Sequence, residues 1–173
     1  MIRREMTEFE KLKRKQNGQI AKELQSQNIC PTCHNFLYHN VYEDFTSRLF
    51  YENEYFYCFL EQYPRTPGHT IILLKEHAED LSELPLSISD NLIQVIKATT
   101  LTLKEVLHSP KVYLCTMCDG KRNHLHFQLI PREENSISGS KLFVKERGIY
   151  VQDNQIVENL RKKMKDIIDS FRR

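Results

Sequence analysis

Neither sign of charge dominates this 173-residue sequence, in which 25 lysines and arginines face 23 aspartates and glutamates for a formal net charge of +2. So even a balance supplies no global field to draw the chain to nucleic acid or to an acidic membrane surface. No apolar run approaches the roughly 20 residues a helix needs to cross a bilayer, and the opening Met1-Ile2-Arg3-Arg4-Glu5 is too charged for a secretory signal. A cytoplasmic protein with no membrane partner is expected. Internal repeats and low-complexity tracts are also missing, so a single packed domain is a better description than an array or a linker.

Basic residues do gather at the ends, with Arg3, Arg4, Lys11, Lys13, Arg14 and Lys15 opening the chain and Arg161, Lys162, Lys163, Lys165, Arg172 and Arg173 closing it. Acids interleave in both runs, the pattern of solvated helix faces rather than of a nucleic-acid patch. Five cysteines cannot all pair with one another. In a reducing compartment, close-spaced cysteines read as metal ligands or core residues.

The length suits one domain with a real core. We divide it into an N-terminal helical arm over residues 1–28, an α+β core over 29–135 and a C-terminal extension over 136–173. In the arm, Ile2, Met6, Phe9, Leu12, Ile20 and Leu24 recur at mostly helical spacing, with Asn17-Gly18 expected to interrupt them. Such an arm serves packing or dimerisation. Cys30-Pro31-Thr32-Cys33 reads as a tight knuckle, the aromatic-rich runs 38–45 and 48–60 as strands, and 61–69 as a turn before the apolar strand 70–74. Leu92, Val95, Ile96, Thr99, Leu103 and Val106 mark the main amphipathic helix between Asp80 and His108, closed by Pro110. A strand over 111–117, a hairpin turn at 118–123 and a second strand follow. A brief strand is expected at 149–151, and Ile156, Leu160, Met164, Ile167 and Phe171 stripe a final helix over 154–171.

The second strand of that hairpin, His124-Leu125-His126-Phe127-Gln128-Leu129-Ile130-Pro131-Arg132, alternates polar and apolar residues at the period of a half-buried strand. Leu125, Phe127 and Leu129 would anchor one face, leaving two histidines and a glutamine on the other. Alternation alone is shared by many surface strands. The cysteines add weight to a functional reading.

Cys30-x-x-Cys33 lets two thiolates meet one ion through a turn stiffened by Pro31. Cys115 and Cys118 offer one completion of a tetrahedral shell, but an odd separation within a strand sends side chains to opposite faces. His77 and His124, at the ends of separate strands, offer another, which we prefer. Four protein ligands close the shell, so such a zinc would be structural. Same-face neighbours lie roughly 6.5 Å apart, which leaves His126 outside it. An open catalytic ion on His124 and His126 would want a neighbouring carboxylate ligand, and that strand has none.

Taken together, Tyr51-Glu52-Asn53-Glu54, Phe59-Leu60-Glu61, Pro64-Arg65-Thr66-Pro67-Gly68-His69, Lys75-Glu76-His77 and the histidine strand resemble the histidine triad superfamily over roughly residues 30–132. The resemblance implies an α+β fold on an antiparallel sheet, and zinc held by Cys30, Cys33, His77 and His124. It also implies a nucleophilic His126 that takes a nucleotidyl group from an α-phosphate. Gln128 stands where a third histidine is usual, which is similar to the branch of galactose-1-phosphate uridylyltransferase and the diadenosine tetraphosphate phosphorylases. A glutamine can donate to a phosphate oxygen but delivers no proton at neutral pH, so phosphoanhydrides suit the site better than phosphoramidates. Glu61 falls where relatives place an acidic residue on the ribose, and Tyr55 and Phe59 are candidates to flank the base. Lys121, Arg122 and Asn123, just before the strand, are positioned to donate to phosphate.

The expected activity is nucleotidyl transfer or hydrolysis on a dinucleoside polyphosphate or nucleotide sugar. The rival is a non-catalytic, zinc-stabilised nucleotide- or nucleic-acid-binding module. Members of the superfamily are often dimers, and the terminal helices offer surfaces for a homodimer.

Overall fold

A computed structural model describes residues 3–117, 120–150 and 154–171. Ile2, Cys118, Val151, Arg172 and Arg173, on which expectations rested, lie outside the described residues. In chain order the elements are β1 (Arg3–Arg4), α1 (Glu8–Ser26), α2 (Pro31–Tyr38), β2 (Leu49–Glu52), β3 (Phe56–Leu60), β4 (Thr70–Leu74), α3 (Leu86–Leu107), β5 (Lys111–Cys115), β6 (His126–Arg132), β7 (Ile149–Tyr150) and α4 (Asn154–Phe171). Five strands form one antiparallel sheet in the order β2-β3-β4-β6-β5, and the short β1 pairs with β7. The α+β class expected from the sequence is the one observed.

The period-two pattern gives the sheet two unlike faces. On one, Phe56, Cys58, Ile72, Phe127 and Leu129 are buried beneath Leu92, Val95, Ala98 and Leu103 of α3. α4 folds back over the same layer, with Leu160 and Met164 fully buried, so this helix closes its own core. The other face carries Phe59, Ile71, Leu73, His126 and Gln128, which line a cavity. Register sets His126 opposite Leu73 and Gln128 opposite Ile71, so both polar side chains stand on an apolar floor in the middle of the sheet.

Three local expectations need correction. The run 38–45 is not a strand. Pro31 sits in the first turn of α2 with Cys30 as its N-cap, so the knuckle opens a helix. His39 ends that helix in the left-handed region at φ 52°, and the Val41 and Tyr42 amides donate to Asn35 Oδ1, satisfying them without a ladder. Asn17-Gly18 does not interrupt α1, which starts at a Thr7–Glu10 capping box and buries none of its residues. A single exposed glycine costs a helix only about 1 kcal/mol. Finally, α3 stops at Leu107 because His108 adopts φ 52°, before Pro110 is reached.

Gly68 takes φ +75° at the turn into β4, and a Cβ there would lie 2.1 Å from Leu107 Cδ1. Only glycine therefore lets the backbone pass this close to α3 and deliver His69 beneath the sheet's polar residues. No described helix is long and apolar enough to cross a membrane.

Candidate functional site

Cys30 and Cys33 reach the site from the first turn of α2, His77 from the loop after β4, and His124 from the two residues leading into β6. Their ligand atoms all lie within 4.8 Å of one another. His124 Nδ1 is 3.5 Å from Cys30 Sγ and 3.4 Å from Cys33 Sγ, while His77 Nδ1 is 3.5 Å from Cys33 Sγ. The sulfur–nitrogen edge of a zinc tetrahedron is about 3.6 Å, given the usual bond lengths. The four groups therefore have the spacing and chemistry of a closed tetrahedral shell.

Burial and the adjoining Cys30 push the Cys33 thiol up to about 12. Only a cation bound between them would hold both sulfurs as thiolates at neutral pH. His124 Nε2 donates to the Leu74 carbonyl at 2.8 Å, which fixes its proton there and turns the Nδ1 lone pair to the cysteines. His77 Nε2 lies 3.9 Å from Glu79 Oε1, and Arg122 bonds the same carboxylate.

One residue pair along, His126 is oriented by the backbone of the preceding histidine. Its Nδ1 donates to the His124 carbonyl at 2.9 Å, so Nε2 keeps its lone pair, and the side chain lines the cavity. Gln128, 4% exposed, sits beside it on the same face. Its Oε1 is 3.2 Å from Nε2 of the wholly buried His69, whose Nδ1 accepts the Arg65 amide at 3.2 Å.

That second bond settles the tautomer. With Nδ1 accepting, the His69 proton is on Nε2 and donates to Gln128 Oε1, which turns the Gln128 N–H2 away as a donor. Burial lowers the His69 pKa to about 4, with the Arg147 and Arg65 charges adding to the shift, so the ring is neutral at physiological pH.

The cavity has a volume of about 410 Å³ and is walled by α1, α2, the loop after it and the segment before β7. Phe45 and Phe59 stack within it, centroids 4.3 Å apart. Glu61 lies on its wall with Oε2 3.5 Å from Arg147 Nη1. Burial alone would raise the Glu61 carboxyl, but Arg147, His69, the Tyr63 amide and Arg48 outweigh it and hold the group below its ordinary value, ionised.

The structure thus brings His126, Gln128, Glu61 and Phe59 to one cavity. The other phosphate-binding candidates sit apart from that lining. Arg122 is committed to Glu79, and Asn123 closes its own turn by bonding the Gly120 amide and carbonyl at 2.8 and 2.9 Å. Lys121 and Tyr55 are likewise not among the residues that line it. Asn35 and Arg147, which do, carried no expectation from the sequence, and Arg14, expected on a solvated helix face, lines it too. Arg147 lies in a polar stretch without periodicity, and no short-range pattern ties it to Glu61.

With this geometry in place, comparisons with known proteins add an independent line. The model of the HIT domain family matches residues 43–135. An uncharacterized HIT-like protein of Methanocaldococcus jannaschii is 33% identical over 93 residues, 51% of this chain and 70% of that protein. Among solved structures, a zinc-bound histidine triad family protein from Mycobacterium smegmatis superposes with a TM-score of 0.55 at 24% identity, covering 70% of this chain and 86% of its own. A uridylyltransferase mutant superposes with a TM-score of 0.65 at 18% identity, covering 88% of this chain but 53% of that one. At these identities the structural matches speak for the fold.

Proposed function

Since the chain belongs to the HIT domain family, we propose that it transfers or hydrolyses a nucleotidyl group at the α-phosphate of a dinucleoside polyphosphate or nucleotide sugar, through a covalent adduct on His126. One observation carries the reading. The His126 ring is pinned by its Nδ1–H on the His124 carbonyl at 2.9 Å, so the other nitrogen meets the cavity as a lone pair rather than as a proton.

In the first step Nε2 attacks the α-phosphorus, and the phosphorus–oxygen bond to the leaving group breaks. The electron pair departs with the leaving nucleoside polyphosphate or sugar phosphate. Positive charge on the imidazolium is shared with the His124 carbonyl through Nδ1–H. The Gln128 N–H2, set free by the His69 contact, donates to a non-bridging oxygen as charge gathers there. Because Gln128 has no acid proton to give, the leaving group must be a good one. In the second step an oxygen of phosphate, sugar phosphate or water attacks the same phosphorus, and the nitrogen–phosphorus pair returns to Nε2.

Glu61, kept ionised, accepts from ribose hydroxyls, and the Phe45–Phe59 side of the cavity takes the base. Zinc on Cys30, Cys33, His77 and His124 supplies no reactive position and serves to hold α2 against the start of β6. The fold shared with a zinc-bound histidine triad protein supports that choice of ion.

The test is an intact-mass spectrum, quenched rapidly and without acid, after mixing with a panel of dinucleotides and nucleotide sugars. An increase of one nucleoside monophosphate that is missing in His126→Ala is expected. Undiminished turnover of the same substrate by His126→Ala would overturn the proposal.

A further inference from the structure

The loop that follows α2 turns back so that two backbone amides converge on a single side-chain atom of Asn35, Val41 N at 2.9 Å and Tyr42 N at 2.8 Å. Two N–H groups can share only an acceptor, so that atom is Oδ1 and the remaining terminal atom is the amide nitrogen. Asn35 is 8% exposed and lines the cavity, and its amide nitrogen has no partner among the described residues. With Oδ1 taken up by the loop, the N–H2 is the one polar group that this side chain has left to offer a ligand in the cavity. The same cavity is lined by Phe36, Tyr42, Phe45 and Phe59, aromatic side chains of the sort that take a flat ring.

A free asparagine can rotate to present either an acceptor or a donor to a base edge. This one cannot, because turning the amide over would set N–H2 against the Val41 and Tyr42 amides. We infer that Asn35 reads the base of the bound nucleotide as a donor-only contact, favouring 4-oxo and 6-oxo bases (uracil, guanine, hypoxanthine) over bases with an amino group at that position (cytosine, adenine). The inference rests on the nucleotide reading above and goes beyond it to the class of base. An exocyclic amino group brought to Asn35 would set donor against donor, and sites built around a hydrogen bond reject such mismatches.

The experiment is calorimetric binding of UMP, CMP, IMP and AMP to the full, zinc-loaded chain. UMP with CMP, and IMP with AMP, contrast an oxo with an amino group at the position in question. Wild-type protein is expected to prefer the oxo member of each pair by at least about fivefold, the lower end of discrimination by a good amide–base contact. Asn35→Asp keeps an acceptor for the Val41 and Tyr42 amides while replacing the N–H2 with oxygen. Its added negative charge weakens all four ligands alike and cancels in each ratio, whereas both ratios should shift toward the amino member by fivefold or more.

Wild-type ratios within twofold of unity in both pairs would overturn the inference with no appeal to the variant. So would ratios unchanged in an Asn35→Asp protein that melts cooperatively. If none of the four ligands binds, the nucleotide reading itself fails and takes this inference with it; binding without discrimination fails the inference alone.

Discussion

Acid should destabilise this protein through His69, and by an amount that can be worked out beforehand. The ring is fully buried, and burial first, then the Arg147 and Arg65 charges, lower its pKa from 6.5 to about 4, against the opposing pull of Glu61 and the Gln128 bond. The unfolded chain takes up that proton near 6.5 and the folded chain only near 4, so between those values the unfolded state binds more protons. Stability from this group is therefore fully present above pH 6.5 and is lost as the pH falls toward 4. At pH 4.5 the loss relative to neutral pH comes to about 2.5 kcal/mol. Protonation would also put a hydrogen on Nδ1, facing the Arg65 N–H that the same atom now accepts. The assay is denaturant unfolding of wild type and His69→Asn from pH 7 to 4.5 with zinc kept saturating. Every other titrating group is common to the two proteins, so the pH-dependent part of their difference reports His69 together with its coupling to Glu61, while packing changes enter as a constant. Wild type should lose about 2.5 kcal/mol more than the variant across that range. A difference that stays level within about 0.5 kcal/mol would refute the reasoning.

Cys33→Ser should drop bound zinc from near one per chain toward none by elemental analysis and lower the melting temperature, since metal affinity is folding free energy when the site forms only in the folded chain; full zinc and an unchanged melt would refute the ligand set. Met164→Ala should cost about 3 kcal/mol in denaturant unfolding, because this side chain is wholly buried between α4 and α3, with Thr102 Oγ1 3.5 Å from its sulfur; a loss below about 1 kcal/mol would mean that α4 is not part of the core.

What could be read in advance follows the range of the interactions involved. The two sheet faces at β6, the closing helix α4 and the grouping of Cys30, Cys33, His77 and His124 rest on strong periodicity or on restrictive ligand chemistry, and each was legible. Tyr38–Phe45 misled because its aromatic content is that of a strand. Its backbone donors are instead taken by Asn35, a side chain whose role is invisible until the loop is folded. Arg147 meets Glu61 across 86 positions of sequence, in a stretch with no period of its own, and nothing local announces it. The turn at Lys121–Asn123 shows the converse. Its composition suits phosphate, yet Arg122 is held by Glu79 and Asn123 by its own turn, so local chemistry was outbid by local geometry.

His124 joins the two halves of the site within one residue. Its ring nitrogen Nδ1 faces the cysteines, its Nε2 holds the Leu74 carbonyl, and its own carbonyl orients the His126 ring. Displacing that ring therefore also displaces the acceptor that selects the tautomer of His126. On the proposed reading, a zinc ion held by Cys30, Cys33, His77 and His124 would assist without touching substrate: the ligated His124 would hold its peptide plane, and that plane determines which nitrogen of the next histidine on that face carries the lone pair. Period-two spacing makes the arrangement possible: at positions 124 and 126 the two rings share a face, close enough for the backbone of one to bond the other and too far apart for one ion to bind both. His69 repeats the device on the far side of His126, with the neutral ring from the Gly68 turn setting the amide of Gln128. Both groups that would meet the phosphate are thus oriented by neighbours that never reach it.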